Sequence, residues 1–200
     1  MDEATIDVER LRSEIRDKYE EVVKKPDAPF HFRTGRPAAM RAGYLEEWLE
    51  GLPEWAVGSF AGVANPYHWG LPHTGERVVD VGSGAGIDCL VAARAVGPDG
   101  AVVGVDMTPA MLERAGVAAA EAGFGNLEFR EGLAERIPVE DGWADLVISN
   151  GVINLVPDKL GAYREIVRVL RPGGRVQVAD ICVERPVPEA AQRDVDLWTG

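Results

Sequence analysis

Two hundred residues, 46% hydrophobic and 27% charged, are enough to bury one sizeable core without disulfides or metals. A net charge of −12 and a pI near 4.7 count against nucleic acid as a partner, which needs a basic surface, and against an anionic membrane surface. The two cysteines, Cys89 and Cys182, stand in no CxxC or Cys/His cluster, so no metal site is expected and both read as ordinary small residues of a reducing cytoplasm.

The amino terminus, MDEATIDVER, is acidic and lacks the apolar stretch of a signal peptide, and no run approaches membrane-spanning length. Asp2 to Lys25 read as an amphipathic helix, with Ile6, Leu11, Ile15, Tyr19 and Val22 at roughly helical spacing. Lys24 and Lys25 suit its C-terminus, and Pro26 stops it. Residues 27–74 are dense in aromatic side chains and hold all three histidines, His31, His68 and His73. Short helices are expected over Ala38–Glu50 and Glu54–Phe60, then a loop to Gly75. Residues 1–74 therefore read as a helical, aromatic-rich cap or lid, and residues 75–200 as a cofactor domain. The plainer reading is a hydrophobic collar that only covers a sheet.

The cofactor domain opens with Glu76 to Met107. Val78, Val79 and Val81 form a β-branched run, right for a buried parallel strand. Gly82, Gly84 and Gly86 follow, then a helix over Ile87 to Val96, a second strand over Ala101 to Val105, and Asp106. This is a βαβ unit with a ligand loop at the end of its first strand. A dinucleotide fingerprint, GxGxxG, needs glycine at position 87, where the chain has Ile87; the spacing is GxGxG instead. Asp80, two residues before the first glycine, is a poor neighbour for a pyrophosphate. It suits a ligand carrying an ammonium and a sulfonium with a single carboxylate, which points to S-adenosylmethionine (SAM) over NAD or a purely structural turn. Asp106 would take the ribose hydroxyls.

Thr108 and Pro109 then open a helix that runs to Ala122, with Thr108 as N-cap. A strand over Leu127–Arg130, a loop over Gly132–Pro138 and a strand over Ala144–Ser149 follow. A helix over Asp158–Leu170 is closed by Arg171, Pro172, Gly173 and Gly174, and a fifth strand covers Arg175–Ile181. Pro188–Trp198 reads as the start of a last helix. The alternation predicts an α/β fold with a doubly wound parallel sheet. Ligand contacts should come from the loops after its strands: Gly82 to Gly86, Asp106 with Met107, Leu133 to Glu135, and Ser149 to Asn154. Each also has a structural reading: Asp80 as a cap of nearby amides, Asn150 as a turn residue, Asp88 as the charge that complements a helix N-terminus.

The segments VVDVGSGAG, GVDMTPAM, ISNGVINLVPDK and REIVRVLRPGGR resemble the SAM-dependent methyltransferases. DMTP and VINLVPDK are most similar to the arsenite methyltransferase family, as is SFAGVANP. The resemblance implies a Rossmann-like methyltransferase sheet. It implies that Asp80, Gly82, Ser83, Gly84 and Gly86 hold the methionine end of SAM, that Met107 packs on the adenine, that Ala134 and Glu135 line the adenine edge, and that Asn150 sits near the methionine moiety. Family members that methylate arsenic hold it through cysteines. At two of the corresponding positions this chain has Val63 and Gly151, and the third lies beyond Gly200, so arsenite is not the expected acceptor. Methyltransferases of this fold usually add two strands after the fifth, which makes the sheet read as truncated and suggests a homodimer or a longer chain. The expected activity is methyl transfer to a small-molecule acceptor in the cytoplasm, with no nucleic acid or membrane partner. Tyr19, Asn65, Tyr67, Trp69 and Asn154 are the candidate acceptor-pocket residues, and His68 is the candidate general base. The alternatives are a SAM-binding regulatory or assembly subunit without turnover, and a nucleotide-dependent oxidoreductase.

Overall fold

The computed structural model describes residues 7–24 and 34–184. The helix expected over Pro188–Trp198 lies outside them, as do Ile6, Lys25, Pro26 and His31. Among the described residues five parallel strands form one sheet: β1 (Arg77–Val81), β2 (Ala101–Asp106), β3 (Leu127–Glu131), β4 (Ala144–Asn150) and β5 (Leu170–Ala179). Their order is β3-β2-β1-β4-β5. β1 therefore lies between β2 and β4 and is buried on both faces, which is why it reads as a near-continuous valine run. The chain leaves β1 toward β2 and later returns to its other side with β4. That reversal opens a crevice at the carboxyl ends of β1 and β4, where ligands of such sheets bind.

Alternate residues of the strands feed two cores. Val78, Val102 and Leu146 pack with α5 (Ile87–Val96) and α6 (Pro109–Glu121). Val79, Val103 and Val147 pack with α7 (Lys159–Val169) and the loop at Ile137–Val139. α5 is buried almost all round, so its sequence, IDCLVAARAV, is apolar on every side rather than striped.

The segment before β1 shares the first of these cores. It holds α2 (Gly35–Ala42), α3 (Glu46–Leu49), α4 (Glu54–Gly58) and a 3₁₀ turn over Pro66–Trp69. The helix expected over Ala38–Glu50 is broken in two, because Gly43 adopts φ +94° and closes α2 with its N–H on the Ala39 and Met40 carbonyls. The break turns Tyr44 inward, edge-on to Phe60 at 5.1 Å and to Trp48 at 6.3 Å. Ahead of all this, α1 (Val8–Lys24) buries Leu11 and Ile15 and packs on α6.

The last strand differs from expectation at both ends. Ala144 pairs with Leu170 but Leu146 pairs with Arg175, so Arg171, Pro172, Gly173 and Gly174 stand opposite Asp145 alone as a bulge inside the ladder, not a connection ahead of it. The strand stops at Ala179, and the Asp180 carboxylate turns back to accept the Asn154 N–H at 3.0 Å. The outer edge of β5 is unpaired among the described residues, with Val176 and Val178 exposed.

Candidate cofactor site

A cavity sits at the crevice, floored by the loop after β1 and overhung by α1. The loop is anchored to β2: the Gly82 and Ser83 N–H groups donate to the Val105 carbonyl at 2.7 and 3.0 Å. The Gly84 N–H donates to Asp106 Oδ2 at 2.9 Å. Gly84 has φ +51°, and a Cβ there would meet nothing within 4 Å, because it would point into the cavity. Ser83 Oγ is buried with no hydrogen-bond partner among the described residues. A cradle of exposed backbone beside an orphaned hydroxyl fits a ligand with a carboxylate and ammonium to place.

Asp106 closes the next side. Burial pushes its carboxyl up, and the Gly84, Thr108 and Met107 N–H groups draw it back. Thr108 caps α6 differently from expectation. Its side chain makes no cap bond, and its own N–H is taken by Asp106 Oδ1 at 2.9 Å. Beyond Asp106 the wall continues through Met107, Leu133, Ala134 and Glu135. Arg12 of α1 reaches over to Glu135, Nη2 to Oε1 3.2 Å. Tyr19, one of the expected pocket residues, lines the same cavity. Its phenol is pushed up to about 12 by burial, and next by the Asp106 and Asp180 carboxylates.

The far end is set by Asn150 and Asp88. Asn150 Oδ1 accepts the Val63 and Ala64 N–H groups at 3.0 and 3.3 Å, binding β4 to the loop after α4. Asp88, in the first turn of α5, is buried and lines the cavity. Its Oδ1 accepts the Tyr44 hydroxyl at 2.5 Å and its Oδ2 accepts Asn150 Nδ2 at 3.2 Å. Apolar side chains complete this end: Phe60, Val152, Leu155 and Val156.

The structure thus brings together Gly82, Ser83, Gly84, Asp106, Met107, Ala134, Glu135, Asn150 and Tyr19. Other expected residues lie elsewhere. Asp80 is beneath the loop rather than on the cavity wall, where it accepts Cys89 Sγ–H at 3.2 Å. Burial and then the Asp88 charge push its carboxyl well above the usual range. Gly86 faces away, toward Phe129 and Ala115. Asn65 is an internal brace, accepting the Tyr67 N–H and donating to the Gly43 carbonyl. The 3₁₀ turn that follows keeps Pro66 and Tyr67 inward and puts His68 and Trp69 outward. Tyr67 is buried with its hydroxyl on the Asp88 carbonyl at 2.6 Å. His68 is exposed against Trp69, which is 84% exposed, and neither lines the cavity. Asn154 is off the cavity wall, its N–H held by Asp180.

Sequence reading missed Asp88, Tyr44 and Arg12 as site residues. Asp88 had a sufficient explanation as a helix-N-terminal acid. Tyr44 and Arg12 reach the site from elements whose placement no local pattern encodes. The positions where the resemblance puts cysteines prove to be neighbours: a Cβ on Gly151 would lie 3.0 Å from Val63 Cγ1. Neither carries sulfur. Cys89 is buried under the loop and Cys182 is exposed, and no group of three or more His, Cys, Asp or Glu among the described residues is placed to hold a metal.

Comparison with known proteins fits this geometry. An arsenite methyltransferase from Halobacterium salinarum is 47% identical over 139 residues, 70% of this chain and 36% of that protein. A demethylmenaquinone methyltransferase from Lactococcus lactis is 37% identical over 115 residues, 58% of this chain and 44% of its own. Among solved structures, an arsenic(III) S-adenosylmethionine methyltransferase from Chlamydomonas reinhardtii superposes with a TM-score of 0.60 at 39% identity, covering 82% of this chain and 54% of that one. The chain spans between about a third and about half of the length of these proteins. Residues 72–199 match the family described as Methyltransferase domain. With that match spanning most of the chain, over a parallel sheet whose glycine loop and strand-end acid frame one cavity, the chain belongs to this methyltransferase family, whose cofactor is SAM.

Proposed function

We propose that this chain transfers the methyl group of SAM to a small-molecule acceptor that is not a thiolate-bound metalloid. The observation that carries the reading is the cavity itself. It joins the unpartnered Ser83 hydroxyl, the open backbone at Gly84 and the Asp106 carboxylate with the Met107, Ala134 and Glu135 wall. In this reading Gly82, Ser83, Gly84 and Asn150 place the methionine end, Asp106 takes the ribose, and Met107, Ala134 and Glu135 hold the adenine. Asp80 and Gly86 act from beneath, shaping the loop. SAM supplies an electrophilic methyl on a sulfonium. The chain's own task is to hold the acceptor about 3–3.5 Å away, aligned and dry. Phe60, Val152, Leu155 and Val156 favour an apolar acceptor. The absence of sulfur at Val63 and Gly151 takes away two of the soft ligands that a trivalent arsenic would use. A homodimer meeting along the outer edge of β5 belongs to the same proposal, supported by the exposed Val176 and Val178.

The test is incubation of the purified chain with methyl-labelled SAM and a small-molecule extract, with arsenite in a parallel reaction. Label should enter an organic component and not arsenic. Label in arsenic alone would overturn the acceptor reading. Bound SAM with no transfer to anything would favour a SAM-binding subunit without turnover.

A further inference from the structure

Asp88 is the one acid on the cavity wall to which the proposed function gives no work. It is 6% exposed and receives two side-chain donors, Tyr44 Oη–H at 2.5 Å and Asn150 Nδ2–H at 3.2 Å. Asn150 is itself within 3.1 Å of the Tyr44 hydroxyl and 2.9 Å of the Ala64 carbonyl. The Tyr67 hydroxyl donates to the Asp88 backbone carbonyl. Three other pieces of chain therefore converge on this residue of α5: the turn after α2, the 3₁₀ turn and β4.

The ionisable and polar side chains facing Asp88 from these elements and from β1 are Tyr44, Tyr67, Asp80, Cys89 and Asn150, and Asp106 stands at the end of β2 beyond them. None of these carries a positive charge. Burial pushes the Asp88 carboxyl up to about 6, while the hydrogen bonds from Tyr44 and Asn150 hold it down. A helix N-terminus explains an acid at this position on a surface. It does not explain why the acid is buried, braced by two donors and turned to a cavity. Buried carboxylates are normally paired with a cation, and the open side of this one is the ligand space.

We propose that Asp88 is the counter-charge for the cationic methionine end of the cofactor, with Tyr44 as the positioning residue that ties the helical segment to that contact. The proposal rests on the SAM reading of the cavity. It links cofactor affinity to the ionisation of Asp88, so affinity is full above the free residue's titration and falls as pH drops through it. Between pH 5 and 7 the ligand's own amino and carboxyl groups keep their charges, so the protein supplies the change.

The experiment is calorimetric titration of the full chain with SAM at pH 5, 6 and 7. The wild type should weaken by up to about tenfold from pH 7 to pH 5, the limit for a group that titrates near 6 when free and stays ionised when bound. Asp88→Asn should bind at pH 7 at least as weakly as the wild type does at pH 5, with most of the pH dependence lost. Tyr44→Phe should keep the dependence with its midpoint moved to higher pH, since the bond favouring the ionised form is gone. A merely structural tyrosine would not move that midpoint. Tight wild-type binding with a flat profile overturns the proposal and leaves the SAM reading standing. So does an Asp88→Asn chain that keeps wild-type affinity and slope, which would assign the titration to Asp106. If Asp88→Asn does not fold, an unmoved midpoint in Tyr44→Phe overturns the proposal by itself. No SAM binding by the wild type at pH 7 removes the SAM reading and this proposal with it.

Discussion

Asn150 has two amide hydrogens and three acceptors within 3.2 Å: the Tyr44 hydroxyl, the Ala64 carbonyl and Asp88 Oδ2. Its orientation is therefore set by neighbours packed on every side, and Gly62 is the tightest of these. A Cβ at Gly62 would lie 2.3 Å from Asn150 Nδ2 and 2.7 Å from Cγ, so glycine is required there by close approach rather than by backbone torsion. Gly62→Ala should displace the Asn150 amide and weaken SAM binding at least tenfold in calorimetry. Gly58→Ala, where a Cβ meets nothing within 4 Å, should leave binding unchanged. Equal affinity in the two variants would show that Asn150 does not set the cofactor contact. Asn150 itself was legible in the sequence, because it ends an apolar strand in a fold whose strand ends bind ligand. Gly62 and Asp88 were not. The meaning of each comes from a contact with β4, remote in sequence.

At the scale of elements, what can be read from pattern and what cannot separate cleanly. β1, β2 and β4 announce themselves because both their faces are buried, so their runs are largely apolar and β-branched with no regular polar alternation. The breaks at Gly43 and at the β5 bulge were missed because turn residues signal a departure from regular structure without saying whether it ends an element or kinks it. For α1, helical periodicity identified Leu11 and Ile15 as the buried stripe. It does not reveal that Arg12 and Tyr19 end up above the cofactor cavity, since that depends on where the helix docks. The Arg12–Glu135 pair is only partly exposed, at 22% and 16% of the two side chains, and it joins α1 to the Glu135 wall of the cavity. Loss of such a pair costs about 0.5–1 kcal/mol. Arg12→Ala should therefore accelerate SAM dissociation roughly twofold to fivefold in stopped-flow measurements, with little change in thermal midpoint. Unchanged dissociation would mean that α1 covers the cavity without closing on the ligand.

For the whole molecule, the sheet order places the switch point between β1 and β4, and every strong feature of the site gathers at that one crevice. Fold class and cofactor could be read from sequence because they depend on residues contiguous in βαβ units. The acceptor could not. The cavity walls beyond the glycine loop are assembled from α1, the loop after α4 and the segment after β4, and the histidine and aromatic residues that looked most chemical, His68 and Trp69, do not line it. Val63 and Gly151 show the converse case: their adjacency in space agrees with the resemblance, while their chemistry departs from arsenic binding. The central claim is that this crevice is a SAM site anchored by Asp106. Its most direct test is calorimetric titration of the purified chain with SAM, with NAD as control and Asp106→Ala as the variant. SAM should bind while NAD does not, and Asp106→Ala should lose at least tenfold in affinity, since it removes both the ribose contact and the bond that holds Gly84. Binding of NAD in preference to SAM, or undiminished SAM affinity in Asp106→Ala, would contradict the account.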